Sequence, residues 1–146
     1  MKIERATGAL LYESYILGLL ADACIKNDRY EQALEVLNQA RRRLDEKNSE
    51  RFYAAEIYRL LGEAYLRSDQ DLDQAEHFFC RGLQVAREQK AKSLELKLCV
   101  SIYDLYERRQ NADEYRSQLG EIYVFFSEGF DTTDLVRARA RLKMLN

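Results

Sequence analysis

Apolar residues recur along this chain at spacings of three and four, and polar residues fill the positions between them, which is the period of a helix packed on one side. The pattern predicts seven helices and no strand. The first runs from about Ile3 to Lys26 and is apolar on nearly all sides, with Leu10, Leu11, Tyr15, Ile16, Leu17, Leu19 and Leu20. Such a helix needs neighbours all round. Asn27-Asp28 makes a turn, and Tyr30, Ala33, Leu34, Leu37, Ala40 and Leu44 mark the second helix. The third carries the stretch from Arg51 to Leu66, with Ser49 as its expected N-cap, and ends near Ser68-Asp69. The fourth, from about Leu72 to Lys90, places Ala75, Phe78, Phe79, Gly82, Leu83 and Ala86 on one side, with Asp71 and Asp73 at its positive end. Ser93 is the expected cap of a fifth helix reaching about Arg109, striped by Leu94, Leu98, Ile102 and Leu105. A sixth follows from about Ala112 to Ser127. After Gly129-Phe130, the acidic start Asp131-Thr132-Thr133-Asp134 opens a last helix whose stripe is Leu135, Ala138, Leu142 and Leu145. Its other sides carry Arg137, Arg139, Arg141 and Lys143, as suits the charged closing helix of a stacked array.

The third and fourth helices carry a motif. Tyr58, Leu61, Gly62 and Tyr65 stand at the spacing W-x-x-L-G-x-x-Y, with tyrosine for tryptophan, and Ala75 and Phe79 follow at A-x-x-x-F. This lettering is similar to that of tetratricopeptide (TPR) repeats. An aromatic fills the space between paired helices, and a glycine lets two backbones approach. Aligning Ala33 with Ala75 puts Leu17, Leu20, Ala21 and Cys24 on the same positions in more weakly lettered form. In the third copy, Ile102 stands where glycine is expected and Tyr115 where alanine is expected. The spacing of Leu17, Tyr58 and Leu98 is about 40 residues against about 34 in the standard unit, so longer helices or turns absorb the difference.

The resulting expectation is an all-α, TPR-like right-handed superhelix of antiparallel helix pairs in a single domain. Repeat one covers about 10–47, repeat two about 49–90, repeat three about 93–127 and a C-terminal capping helix about 131–145. Leu61, Gly62, Tyr65, Ala75 and Phe79 are its expected core.

Two stretches resemble a narrower group. RFYAAEIYRLLGEAYL (Arg51 to Leu66) and FSEGFDTTDLVRARARL (from Phe126) are similar to stretches in the C-terminal repeat region of large bacterial signalling ATPases. Those proteins often join adenylate or guanylate cyclase domains, or a transcription-factor module, to an NTPase and then to TPRs. The resemblance spans about Leu10 to Leu142. It implies a regulatory repeat module or a free-standing relative, and it does not imply cyclase activity. The six glycines are scattered, and no G-x-x-x-x-G-K-[ST] loop occurs.

Composition narrows the chemistry. Lys plus Arg number 23 and Asp plus Glu 25, for a net charge of −2, which gives no field for drawing in nucleic acid or an anionic membrane. There is no proline to break a helix. The longest apolar run, Ala9 to Ala21, is interrupted by Glu13 and Ser14 and is shorter than the roughly 20 residues of a bilayer span. No secretory leader is recognisable, and Cys24, Cys80 and Cys99 share no C-x-x-C spacing, so a reducing cytoplasm is expected. His77, the only histidine, and Cys80 supply two metal ligands of the three or four that zinc needs, so no metal and no cofactor is expected. A nucleophile would have to rely on the same histidine, and no catalytic residue is assigned. Arg41-Arg42-Arg43 splay about 100° apart around a helix and read as a solvated face.

The expected function is therefore non-catalytic protein binding. The first helix of each pair lines the groove of a TPR array, which places Tyr15, Asp22, Lys26, Arg59, Glu63, Arg67, Tyr103 and Tyr106 on a candidate partner-binding face. Arg59, Glu63 and Arg67 share one side at i, i+4 spacing, and the competing reading is a ladder of exposed ion pairs worth about 0.3 to 0.5 kcal/mol each. Asp22 and Glu63 would repel a carboxylate, unlike the clamps that hold chaperone C-termini. Leu10, Leu11, Tyr12, Tyr15, Ile16 and Leu19 form a second candidate surface, for upstream repeats or for a homodimer through the first helix. An RNA-binding helical repeat and an enzyme with an unrecognised site are the alternatives.

Overall fold

A computed structural model describes residues 10–46, 53–68, 71–125 and 133–144. Among these residues there are seven α-helices and no strand: α1 (Leu10–Lys26), α2 (Tyr30–Glu46), α3 (Ala54–Ser68), α4 (Leu72–Glu88), α5 (Lys92–Arg108), α6 (Ala112–Phe125) and α7 (Thr133–Met144). The predicted all-α repeat fold is the one observed. The expected cap Ser49, the start at Ile3, the residues Arg51 and Phe52, and the box from Phe126 to Thr132 lie outside the described residues, as do the side chains of Leu10, Leu11 and Tyr12.

The chain divides into two compact units, Met1–Val85 and Ala86–Asn146. In the first, α1 packs on α2 and α3, and α2 packs on α3. The core there gathers Ala21, Ile25, Ala33, Leu37, Ala40, Ile57, Leu61 and Ala64. α4 contributes Phe78 to this core and makes a close approach at Phe79. A Cβ on Gly62 would stand 2.9 Å from Cγ of Phe79 and nearer still to its Cδ1 and Cε1, so only glycine fits against that ring. Leu61, Ala75 and Phe79 are fully buried as expected, whereas Tyr65 is half-buried and packs against the edge of the core.

In the second unit α5, α6 and α7 pack on one another. Leu98, Cys99, Ile102, Leu105 and Leu119 are fully buried. Burial raises the Cys99 thiol pKa, partly offset by the hydroxyl of Tyr115 at 3.6 Å. The arginine-rich α7 is not simply a solvated lid. Arg141 grips Asp104 with two hydrogen bonds, Nε to Oδ1 at 2.7 Å and Nη2 to Oδ2 at 3.0 Å, while Tyr103 and Arg116 each donate at 3.4 Å to the last carbonyls of the helix, those of Arg141 and Leu142.

The ends of α1, α4 and α5 follow one design. Asp28, Lys90 and Gln110 have φ of 61°, 56° and 63°, and each closes a Schellman turn. Arg29 N bonds to Cys24 O at 2.8 Å, Ala91 N to Ala86 O at 2.8 Å, and Asn111 N to Tyr106 O at 2.7 Å. At the helix starts, Asp71 accepts from the Gln74 amide as an N-cap. Ser93 does not cap α5. The turn at Lys90 delivers the chain into a helix already at Lys92, so the N-cap position falls on Ala91, which has no side-chain cap bond.

Candidate functional site

Two helices of the first unit carry matching stripes. Tyr15, Gly18, Leu19 and Asp22 on α1, and Tyr53, Glu56, Ile57 and Leu60 on and just ahead of α3, both follow the i, i+3, i+4, i+7 order that puts four residues on one side. Where α1 and α3 lie together these stripes enclose a notch of about 110 Å³. That is room for one side chain, well below the 300 to 1,000 Å³ of a metabolite pocket. Gly18 lines it, and a Cβ there would come into ordinary van der Waals contact with Ile57 Cδ1 at 3.5 Å. Tyr15 leans on Tyr53 with ring centroids 5.3 Å apart, and Tyr15 and Leu19 are 41% and 53% exposed, so apolar surface faces outward beside the notch.

Charges bound this apolar strip in pairs. Lys26 Nζ lies 2.9 Å from Asp22, and Arg67 Nε donates to Glu63 at 3.1 Å. Arg59 turns back to Glu56, three residues earlier, in a bidentate pair at 2.9 and 2.6 Å. Within the expected series Arg59-Glu63-Arg67, Arg59 thus also has a partner outside it, because the shorter reach to Glu56 offers it both carboxylate oxygens at once. Burial would lower the Arg59 pKa, but the Glu56 hydrogen bond and the charges of Glu56, Glu63 and Asp22 outweigh it and raise it further. Arg59 therefore stays charged and fixed. Three cations and three carboxylates alternate along the face, so it carries no net field.

Six of the eight expected groove residues, Tyr15, Asp22, Lys26, Arg59, Glu63 and Arg67, belong to the first unit. Asp22, Arg59 and Glu63 are close enough to act on one charge. Glu63 is itself only 8% exposed and takes part through Arg67. The other two belong to the second unit. Tyr103 is 2% exposed beneath α7, so its ring is covered, and Tyr106, half-buried, packs edge-on against Tyr115 at 5.5 Å.

Sequence reasoning missed Tyr53, Glu56, Ile57 and Leu60. The signal was present in their spacing, which repeats that of Tyr15, Gly18, Leu19 and Asp22. Of the second candidate surface, Ile16 is 59% exposed, and Leu20, one turn on, is 50% exposed.

Chemistry elsewhere is sparse. Among the described residues no group of three or more His, Cys, Asp or Glu side chains could hold a metal ion. His77 sits edge-on to Phe78 at 5.2 Å, and Cys80 is exposed, its thiol pKa raised by partial burial and by Glu76. Among the described residues no helix is long and apolar enough to cross a membrane.

Stacked helix pairs with an apolar notch and paired charges on adjoining helices define a helical-repeat interaction module. A family model described as Tetratricopeptide repeat matches residues 12–88, which run from the start of α1 to the end of α4. The chain belongs to the tetratricopeptide repeat family, typically a non-catalytic module for binding proteins. Comparison with curated proteins and with solved structures returns no match.

Proposed function

We propose that this chain is a non-catalytic scaffold domain whose α1–α3 face takes a peptide segment of a protein partner. The observation that carries the reading is the notch. It has the volume of one apolar side chain, exposed Tyr15 and Leu19 beside it, and charges already paired, so binding there would bury apolar surface without stranding an ion. Selection of a random peptide library on the immobilised chain tests it. Enriched peptides should carry an apolar anchor and lose at least about tenfold in affinity to Leu19→Asp, one factor of ten being the worth of a single lost anchor contact. A library that yields no binder, or binders indifferent to Leu19→Asp and Tyr15→Ala, would overturn the reading. RNA retained on a filter at physiological salt, or substrate turnover by the purified chain, would move the protein to another class.

The wider setting rests on the stretches Arg51 to Leu66 and Phe126 to Leu142. Their similarity to the repeat regions of bacterial signalling ATPases supports a cytoplasmic regulatory module of such a protein, or a free-standing relative, in contact with its own parent or a separate partner. The outward side of α1, with Ile16, Leu19 and Leu20, is then where upstream repeats or a second copy would pack. Light scattering on the chain should show a dimer that Ile16→Glu with Leu20→Glu converts to a folded monomer. A monodisperse wild-type monomer would remove the homodimer.

A further inference from the structure

The second helix of each pair carries a site of its own in the first unit. Between α2 and α4 runs a cleft of about 730 Å³ lined by Glu35, Asn38, Gln39, Arg41 and Arg42 from α2, Gln74 and Phe78 from α4, and Tyr65 below. Phe78 forms the floor. It stacks on Tyr65 and Tyr58 at 5.9 and 6.3 Å, nearly parallel to both, and the Arg41 guanidinium lies 5.6 Å above its centroid. Arg81, one turn along α4, lies over Tyr58 at 5.3 Å and donates to its hydroxyl at 3.2 Å. The arginines of the run at 41–43 thus have separate fates. Arg43 is paired with Glu13 at 2.9 Å on the α1 side, Arg41 lines the cleft, and Arg42 borders both the cleft and the hollow beside Glu13; Glu35, at the far end of the cleft, is the one carboxylate among its lining residues.

We propose that this α2–α4 cleft is a second docking site, and that it takes an extended acidic peptide with a carboxylate side chain at the Arg41–Arg42 end. Length is the first argument. Positions 35 to 42 rise roughly 10 Å along α2, the span of about three extended residues. Its rims are the second. The amides of Asn38, Gln39 and Gln74 each offer a donor and an acceptor, which is what the backbone of an extended chain requires. Charge is the third. The Arg41 guanidinium, 5.6 Å over the Phe78 centroid, keeps N–H groups for a carboxylate, and Arg42 lines the same cleft. Nucleic acid lacks the complementary feature, because base stacking needs a free ring face and Phe78 is 5% exposed, with its faces taken by tyrosines and Arg41.

The inference rests on the protein-binding reading but not on the α1–α3 notch, and the test separates the two. A fluorescent hexapeptide with three consecutive glutamates, its glutamine analogue and an oligouridine of equal charge are titrated against the full chain at physiological ionic strength. The glutamate peptide should bind saturably and the other two at least about tenfold more weakly. Arg41→Gln with Arg42→Gln should cost the glutamate peptide about tenfold or more, a loss typical of charge-assisted hydrogen bonds. Arg29→Gln with Arg139→Gln, which removes the same charge elsewhere, should change affinity less than twofold, with helicity retained in both doubles. No saturable binding, equal losses in the two doubles, or equal binding of the glutamine peptide or oligouridine would each overturn the site. Loss on Leu19→Asp instead would place the peptide in the α1–α3 notch, sparing the protein-binding reading while refuting this one.

Discussion

The α3–α4 pair of the first unit and the α5–α6 pair of the second reach equally dry interiors by opposite choices of residue. At the close approach the first pair sets Gly62 against Phe79, the smallest residue beneath one of the largest. The aligned positions in the second are Ile102 and Leu119, 1% and 0% exposed, and in the α1–α2 pair they are Ala21 and Leu37, both fully buried. Glycine goes with phenylalanine and alanine with leucine, so in these two pairs the size of one position tracks the other. What the fold demands is a filled interface between paired helices, and the familiar lettering is one way to fill it. The second unit breaks the lettering with Ile102 and Tyr115 and remains packed, Tyr115 being 4% exposed and reaching Cys99.

If that contrast is right, the second pair should lose stability when its residue is made smaller and the first when its residue is made larger. Ile102→Ala removes buried volume that nothing else supplies and should cost about 2 to 5 kcal/mol, read from the urea midpoint at constant slope. Restoring the consensus glycine there should be worse still. A cost within error of zero would mean that α5 and α6 simply close up, and that Ile102 is not what separates them. Gly62→Leu should cost about 1 to 3 kcal/mol by overpacking against Phe79. Gly62→Ala with Phe79→Leu reproduces the residues of the α1–α2 pair and should be milder than the two single changes summed, by about 1 kcal/mol. Strict additivity of the two would break the idea of matched sizes.

Much of this was legible in the sequence because it is local. The 3.6-residue period gave the helices, the spacing of Tyr58, Gly62, Ala75 and Phe79 gave the tight pair, and Asp71 read as a charge at the positive end of α4, where the structure makes it the N-cap. Long-range pairing was not legible. Asp104 and Arg141 stand 37 residues apart, and no pattern on either helix announces the other. Arg41 and Arg42 read as splayed charges until α4 brings Phe78 under Arg41. Tyr103 has the position of a groove residue, and α7 covers it. The notch lay between, since each stripe can be read alone but their meeting requires the fold.

Asp104→Asn sharpens the comparison at the outer helices. α1 leaves Ile16 and Leu20 half-exposed, whereas α7 is held by the Asp104–Arg141 pair. Burial would lower the Arg141 pKa, but the Asp104 hydrogen bond is the larger influence and raises it, which marks the pair as one attractive unit. Its side chains remain partly exposed, 28% and 21%, so solvent screens the charge and the expected loss is about 1 kcal/mol. Faster amide exchange should appear in Thr133–Met144 and not in Leu10–Lys26. Unchanged exchange in α7 would show that Ala138 and Leu142 hold that helix unaided.

The smallest effects concern the three turns, and here both units should gain. Asp28, Lys90 and Gln110 occupy left-handed backbone that costs an ordinary residue about 1 to 2 kcal/mol relative to glycine. Glycine at each site relieves that strain and gives back part of the gain as chain entropy. The three gains should nevertheless be unequal. Gln110 contributes no charge at its helix end, so Gln110→Gly should stabilise most, by about 1 kcal/mol. Lys90 places a cation beside the C-terminus of α4, a favourable position worth about 0.3 kcal/mol, so Lys90→Gly should give a little less. Asp28 tolerates the left-handed region better than most residues, and its Oδ1 accepts a hydrogen bond from the Tyr30 hydroxyl at 2.8 Å. Asp28→Gly should therefore be close to neutral. Thermal melts of the three variants should rank Gln110→Gly above Lys90→Gly above Asp28→Gly. The reverse order would mean that side-chain contacts at the turns, rather than backbone strain, set their stability.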